Sequence, residues 1–462
     1  MSTHTEQLHI SVFEADLTPL PGEPTMGGLT EPVKFIEHPL YAKGVIFSDK
    51  GGISAVCALD YCSLSNATYN QYLNAIASGA GCSPDRVIIN NIHFHTSVGP
   101  DADAQRTLEA HAPGVHSLTQ KYIDDCLKKL RAASEHAASR MQKVRHVQTS
   151  WAVVDRAASS RRILRPDGII STRMSAHNPV DPYNRMLPDG LIDPFLRTID
   201  FINEDGKSIV CLHTYATHPQ TSWGNGRIST DAPGIARTRI ESETGTTHIY
   251  FNGCGGNITM GRYNDRTPEA RTALAGRIYD AMRRSLNSRE LKSFDTSSLT
   301  PCKWTKIPLF FPKRSEEIFS TGYNLRYIHD EEMIIKEARK TGVPETALAA
   351  HVNYAKVKAA QIIAVNNRID AGIPWEVKSA SLGPVTFLSL PGETFIEYQL
   401  YAQQIASQNT FLITFGYNDC SLWYIGLDSL YTENGGFEIS WAFSGPNEKN
   451  FKKAITAALK IN

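Results

Sequence analysis

Residues Val87–Pro100 read VIINNIHFHTSVGP. Val87, Ile88 and Ile89 form a short β-branched run, the composition of a buried strand. His93 and His95 follow directly, ahead of Thr96, Ser97, Gly99 and Pro100, which is turn chemistry. On an extended segment, residues two apart point the same way, so the two imidazoles are expected side by side. Neutral imidazole is a common zinc ligand, and a strand end carrying His-x-His suits a metal site. Taken alone, such a pair is more often structural. Its meaning depends on whether matching groups stand at other strand ends.

They do. The strand Ile53–Leu59 ends in Asp60. The strand Ser208–Tyr215 runs into Ala216, Thr217, His218 and Pro219. Thr247–Phe251 ends in the small-residue turn NGCGG at 252–256. Val385–Leu390 is followed by Pro391, Gly392 and Glu393, and Phe411–Phe415 leads into a segment containing Tyr424. In α/β proteins, sites gather outside the carboxyl ends of strands. Two His and one Glu would hold a catalytic zinc and leave a position for water. Each position also has a plainer reading. His218 suits a turn, Glu393 a helix first turn, and Tyr424 a core aromatic.

Around these strands the pattern is that of a single large α/β domain spanning 1–462, a mixed sheet flanked by helices. Hairpins are expected across SDKGG at 48–52 and NEDGK at 203–207. An amphipathic helix is expected from about 117 to 141, another from Asp231, and another over 269–286. Ser159–Asn184 reads as a long loop rich in Arg, Pro and Gly, and loops of that length are often functional. A polar helical insertion is expected at about 328–372, with no chemistry of its own. No internal sequence repeat is visible.

The 462 residues are 41% hydrophobic and 20% charged, and Lys plus Arg equals Asp plus Glu at 47 each. No basic field invites nucleic acid, and no apolar run approaches the ~20 residues of a membrane span. The polar N-terminus suits a cytoplasmic protein, or an exported one whose signal has been removed. The eight cysteines form no CxxC pair, so they read as buried free thiols.

The motifs resemble those of the neutral (non-lysosomal) ceramidases and their bacterial relatives. ADLTPLPG at 15–22 is similar to the family's start. IHFHTSVGP, YATHPQT, FNGCGGNIT, LPGETF and GYNDCSLWYIG follow in the family's order over roughly residues 10–430. The resemblance implies His93, His218, Glu393 and Tyr424 as zinc ligands. It implies His95 as a substrate or oxyanion group, with Arg161 or Arg162 of SSRRILRPDG as the catalytic arginine. Gly253, Cys254 and Asn257 fall in the substrate-binding turn, where the family has a serine near Gly253 and an aspartate at Asn257. The resemblance covers the catalytic domain, and no counterpart of the family's C-terminal immunoglobulin-like domain is expected within residues 1–462. Asp60 and Asp231 are expected to orient ligand histidines. The function implied is zinc-dependent hydrolysis of an N-acyl amide by a metal-activated water, acting on a small-molecule substrate. A polar ester, lactone or sugar amide is an alternative substrate, and a non-catalytic binding protein is an alternative role.

Overall fold

The structure, a computed structural model, describes residues 7–176, 182–288, 291–296, 301–432 and 435–460. Residues 1–6, residues 177–181 of the long loop and residues 297–300 lie outside the described residues.

One pattern of strands occurs three times. In the first unit, β1 (His9–Asp16) pairs antiparallel with β2 (Tyr41–Asp49), and β2 pairs antiparallel with β3 (Gly52–Leu59). Helix α1 (Asn66–Ala80) then crosses over to β4 (Val87–Asn91), which lies parallel to β3. Gly81, at φ 74°, closes α1 in the left-handed conformation that glycine adopts without strain. Helices α2 (Ala102–His111) and α3 (Gln120–Ala138) follow.

The second unit repeats the order with β5 (Gln142–Val153), β6 (Phe195–Asn203) and β7 (Ser208–Tyr215). Helix α4 (Asp231–Thr244) returns the chain to β8 (Thr247–Asn252), parallel to β7. The two units join through β1 and β5 into one mixed sheet, which a short strand at Lys292–Asp295 extends. Helix α5 (Pro268–Leu286) packs beside α4.

The third unit is a separate four-stranded sheet. Its strands are β9 (Lys303–Leu309), β10 (Trp375–Leu382), β11 (Val385–Pro391) and β12 (Phe411–Asn418). Helix α9 (Ile396–Ile405) makes the parallel crossover from β11 to β12. Between β9 and β10 stand α6 (Thr321–His329), α7 (Glu331–Lys340) and α8 (Leu348–Asp370). Helix α10 (Glu448–Lys460) covers β9 and β10. The repetition is absent from the sequence because it lies in pairing order, which many residue choices satisfy. Among the described residues no helix is long and apolar enough to cross a membrane.

The sheets share one core, in which Phe47 and Phe201 of the first meet Phe387 and Phe415 of the second. Helices α1 and α3 bury the other face of the first unit, with Leu73, Ile76, Ile123 and Leu130 against Ile46, Cys57 and Ile89. All eight cysteines are free thiols, and six are buried, Cys57 and Cys211 among them.

At the centre the last strands of the three units, β4, β8 and β12, lie against one another. Asn90 ties them together. Its Nδ2 donates to the Asn252 carbonyl (3.1 Å) and the Gly416 carbonyl (2.5 Å), and its Oδ1 accepts from the Asn252 N–H (2.8 Å). Asn91 donates to the Tyr417 carbonyl (2.7 Å), and Asn252 donates to the Ile92 carbonyl (2.9 Å). A polar group buried here would be costly without these partners.

A second buried polar group bears on pH. His213 Nε2 lies 2.7 Å from His248 Nδ1, with the rings stacked, and Thr198 and Thr244 hold the outer nitrogens. Burial pushes His248 down to about 4, with Lys43 adding to the effect. Burial, then His248, pushes His213 well below its ordinary value. Below about pH 6.5 the unfolded chain takes up protons that the folded pair refuses. The stability this pair contributes is therefore full above that pH and is lost as pH falls toward 4. From His248 alone the loss at pH 5 is about 2 kcal/mol relative to neutral pH. Denaturant unfolding at pH 7 and pH 5, in wild type and in a His213→Asn/His248→Gln variant, reads the difference. An equal pH dependence in both proteins would contradict it.

Candidate active site

His93 follows β4, His218 follows β7 and Glu393 follows β11, so each unit places one group at the centre. His93 Nε2 lies 3.2 Å from His218 Nε2 and 3.4 Å from a Glu393 carboxylate oxygen. Donor atoms of these three residues all lie within 4.8 Å of one another, and all three residues are buried. Tyr424 reaches the same place through backbone pairing, because Glu393–Thr394 and Tyr424–Ile425 form a two-stranded ladder with Glu393 opposite Tyr424.

Each imidazole is oriented through its other nitrogen. His93 Nδ1 meets the Cys62 carbonyl at 2.6 Å, His95 Nδ1 the His93 carbonyl at 3.1 Å, and His218 Nδ1 the Gly255 carbonyl at 3.3 Å. A carbonyl only accepts, so each Nδ1 carries the proton and each Nε2 is left with a lone pair. Three Nε2 lone pairs converge, since His95 Nε2 lies 3.1 Å from His218 Nε2. Burial pushes His218 well below its ordinary value, and Arg161, His93 and His95 act in the same direction. Glu393 Oε2 is buried with no hydrogen-bond partner. A converging set of imidazole nitrogens and a buried carboxylate oxygen without a hydrogen-bond partner fit a divalent cation.

The loop that carries His93 is strained rather than extended. The strand ends at Asn91, and His93 has φ 73°. The two histidines therefore converge through this turn, with ring centroids 4.6 Å apart, and not through strand alternation. Tyr417, also left-handed at φ 56°, stacks on His93 at 4.4 Å and places its hydroxyl 3.3 Å from His218 Nδ1. Such conformations persist where the surroundings over-determine them, often at functional sites.

Arg161 and Arg162 part company. Arg161, 2% exposed, donates from Nη1 to the Tyr424 hydroxyl at 2.7 Å. Burial works against its charge, but Tyr424 and Glu438 outweigh burial and hold the guanidinium protonated above its usual range. Arg162 instead donates to Glu438 at 2.7 Å and faces the Phe395 ring.

The other expected site residues do different work. Asp60 takes a two-pronged ion pair from Arg237 (2.7 and 2.9 Å) and the Tyr41 N–H (2.9 Å). Asp231, left-handed at φ 48°, accepts from the Thr221 and Ala232 N–H groups. Orientation of the histidines falls to backbone carbonyls instead. Gly253, Cys254 and Asn257 form the packing behind the site. A Cβ on Gly253 would lie 2.6 Å from Gln399 Oε1, and Gln399 accepts from the Cys254 N–H. Asn257 accepts from the Ile396 N–H through its side chain and from the Arg161 N–H through its carbonyl. The turn needs glycine for close approach, since a Cβ on Gly256 would sit 2.1 Å from the Glu393 carbonyl oxygen.

A cavity of about 440 Å³ opens onto the site. His95, Arg161 and Tyr424 line it, together with Gln220, Met174, Trp223, Trp423, Trp441, Phe437, Met26 and Leu29. His351 and Tyr354 of α8 complete it. The helical insertion, expected to carry no chemistry, is thus part of the site. Glu438, Tyr417, Asn90 and Asn91 were also missed. The only signal in the sequence was two asparagines closing an otherwise apolar strand.

No family model matches the chain, and no curated protein matches it by sequence. Among solved structures, the chain is similar to a ceramidase structure described as "Ceramidase complexed with C2", with a TM-score of 0.67 and 14% identity over 98% of this chain and 74% of that one. It is similar to the neutral ceramidase from Pseudomonas aeruginosa with a TM-score of 0.67 and 15% identity over 99% of this chain and 75% of that one. At this identity the likeness is one of architecture: the chain has the α/β fold of the neutral ceramidases.

Proposed function

We propose that the chain is a zinc-dependent hydrolase that cleaves an amide bearing an apolar acyl group. One observation carries the reading: His95, Arg161 and Tyr424 line an aromatic-walled cavity directly beside three converging metal-competent donors. The ceramidase structures of the same fold support it.

In this reading His93, His218 and Glu393 hold the ion, with Tyr424 beside Glu393 as the fourth group. When bound, zinc polarises a carbonyl and lowers the pKa of water to near neutrality. Arg161 presents its fixed charge where the carbonyl oxygen gathers negative charge, and the Tyr424 hydroxyl and Glu438 hold it in place. His95, with Nδ1–H on the His93 carbonyl, would take a proton at Nε2 and return it to the leaving amine. The indole and phenyl walls favour an apolar acyl chain over the polar ester, lactone or sugar amide.

Purified protein supplied with zinc is expected to hydrolyse an N-dodecanoyl amide with a kcat/KM at least about tenfold above that of the N-acetyl analogue, since each buried CH₂ contributes about 0.8 kcal/mol. Arg161→Ala is expected to lower kcat on the order of 10²–10³-fold. Zinc-loaded protein that turns over neither compound, nor an acyl ester, would leave a binding role as the better account.

A further inference from the structure

Residues 417–424, at the end of β12 and beyond it, hold three non-glycine residues at positive φ: Tyr417 at 56°, Asp419 at 26° and Trp423 at 55°. A bulky residue there is sterically costly, and such a turn persists only where its surroundings over-determine it. One group that does so comes from the helical insertion. Arg368, near the C-terminal end of α8, donates from Nη1 to Asp419 Oδ2 at 2.5 Å and from Nη2 to the Pro374 carbonyl at 2.7 Å. The ion pair is largely buried, with the two side chains 11% and 9% exposed. A closed ring of contacts surrounds it. The Arg368 guanidinium lies 4.1 Å from the centre of the Trp375 ring, the Trp375 indole N–H donates to Ser421 Oγ at 2.9 Å, and Ser421 Oγ donates to Asp419 Oδ1 at 2.8 Å. Asp419 Oδ1 also accepts the Asn66 N–H at 3.1 Å.

The turn held in this way sets three groups of the candidate site. Its Trp423 lines the cavity and packs on Trp441, with ring centroids 4.7 Å apart. The Trp423 carbonyl accepts the Glu393 N–H at 2.7 Å, and the ladder that pairs Glu393 with Tyr424 continues from that bond. A shift at Asp419 therefore moves the backbone that fixes Glu393 and Tyr424. Without Arg368 the Asp419 carboxylate would be left buried beside neutral donors only, and the turn would lose the anchor that offsets its steric cost.

We propose that Arg368 is a positioning residue: it reaches from the insertion to lock the strained turn that presents Trp423, Tyr424 and Glu393. The locking of the turn stands on its own geometry. Its effect on the metal rests on the hydrolase reading.

Two readouts test it, and the first needs no metal. The Trp423–Trp441 pair contributes a circular-dichroism signal, identified as the part of the spectrum that Trp423→Phe removes. In zinc-free protein, Arg368→Met is expected to lose most of that signal. With zinc, it is expected to lower metal affinity about 10–100-fold, the usual cost of losing a group that orients a ligand. Leu73→Ala, in the core between α1 and the first unit's strands, controls for stability. It is expected to lower the denaturation midpoint and to leave both readouts at wild-type values. Arg368→Lys keeps the charge and loses the fork. It is expected to show smaller changes in the same direction, and it carries the test if Arg368→Met does not fold. A wild-type pair signal and wild-type zinc affinity in folded Arg368→Met overturn the proposal. So does an equal loss of zinc affinity in Leu73→Ala, because the loss then follows stability alone. If wild type binds no zinc while the pair signal still depends on Arg368, the hydrolase reading fails and the locked turn remains.

Discussion

His218→Ala is expected to abolish stoichiometric metal binding. Elemental analysis of the purified wild type should find about one zinc per chain, and the variant should hold none after the same dialysis. His218 Nε2 sits between the other two imidazoles, 3.2 Å from His93 Nε2 and 3.1 Å from His95 Nε2. Its removal leaves Glu393 and His93 on one side and a gap where the third donor belonged. Mutating a residue that only orients a ligand costs metal affinity about 10–100-fold, so losing a ligand should cost more than about 100-fold. The folded core should survive, because His218 is held by a single carbonyl and the Tyr417 hydroxyl, both at 3.3 Å. Stoichiometric zinc in His218→Ala would move the metal elsewhere. No metal in either protein, even with zinc added, would favour a binding protein on a ceramidase fold.

The second large effect concerns stability and reaches the same site from behind. Asp60 and Arg237 form a two-pronged ion pair in which both side chains are almost wholly buried, 0% and 2% exposed. Asp60 follows β3 of the first unit, and Arg237 lies on α4 of the second. Arg237→Ala would leave the Asp60 carboxylate buried with only the Tyr41 N–H, and should destabilise the protein by about 3–5 kcal/mol. An Asp60→Leu/Arg237→Met variant should recover much of that loss, because it removes both charges rather than stranding one. The consequence for the site runs through the next two residues. The Tyr61 carbonyl accepts the His93 N–H at 2.8 Å, and the Cys62 carbonyl orients the His93 ring at 2.6 Å. Arg237→Ala should therefore also weaken zinc binding, at a denaturant concentration where the protein is still folded. A variant that loses less than about 1 kcal/mol, the scale of an exposed pair, would show that the site is solvated in solution.

The elements most legible in the sequence were those whose residues pattern locally. The apolar runs at 87–89 and 385–390, the small-residue turn after β8 and the helical spacing expected over about 117–141, observed as Gln120–Ala138, are local signals. All appear where they were expected. The strand ends that bear His93, His218 and Glu393 were legible for the same reason, since an apolar strand followed by a polar group and a turn residue is a short pattern.

What those strand ends amount to was not legible. His93, His218 and Glu393 are separated by 125 and 175 residues, and only the meeting of the three units along β4, β8 and β12 brings their donor atoms within 4.8 Å of one another. The ring orientations come from backbone carbonyls, which every residue possesses and which leave no mark in the sequence. This is why Asp60 and Asp231, distinctive as side chains, were expected in that role. The choice between Arg161 and Arg162, adjacent in a loop, depends on which one meets Tyr424 and which meets Glu438.

The sequence by itself determined many of the strands, several of the helices and the chemical types of the donors, because hydrophobic period and turn chemistry act over a few residues. Only the tertiary structure decided that three like units meet at one centre and that a polar helical insertion walls the site with His351 and Tyr354. Burial and convergence are properties of the packed chain, set by contacts between residues hundreds of positions apart.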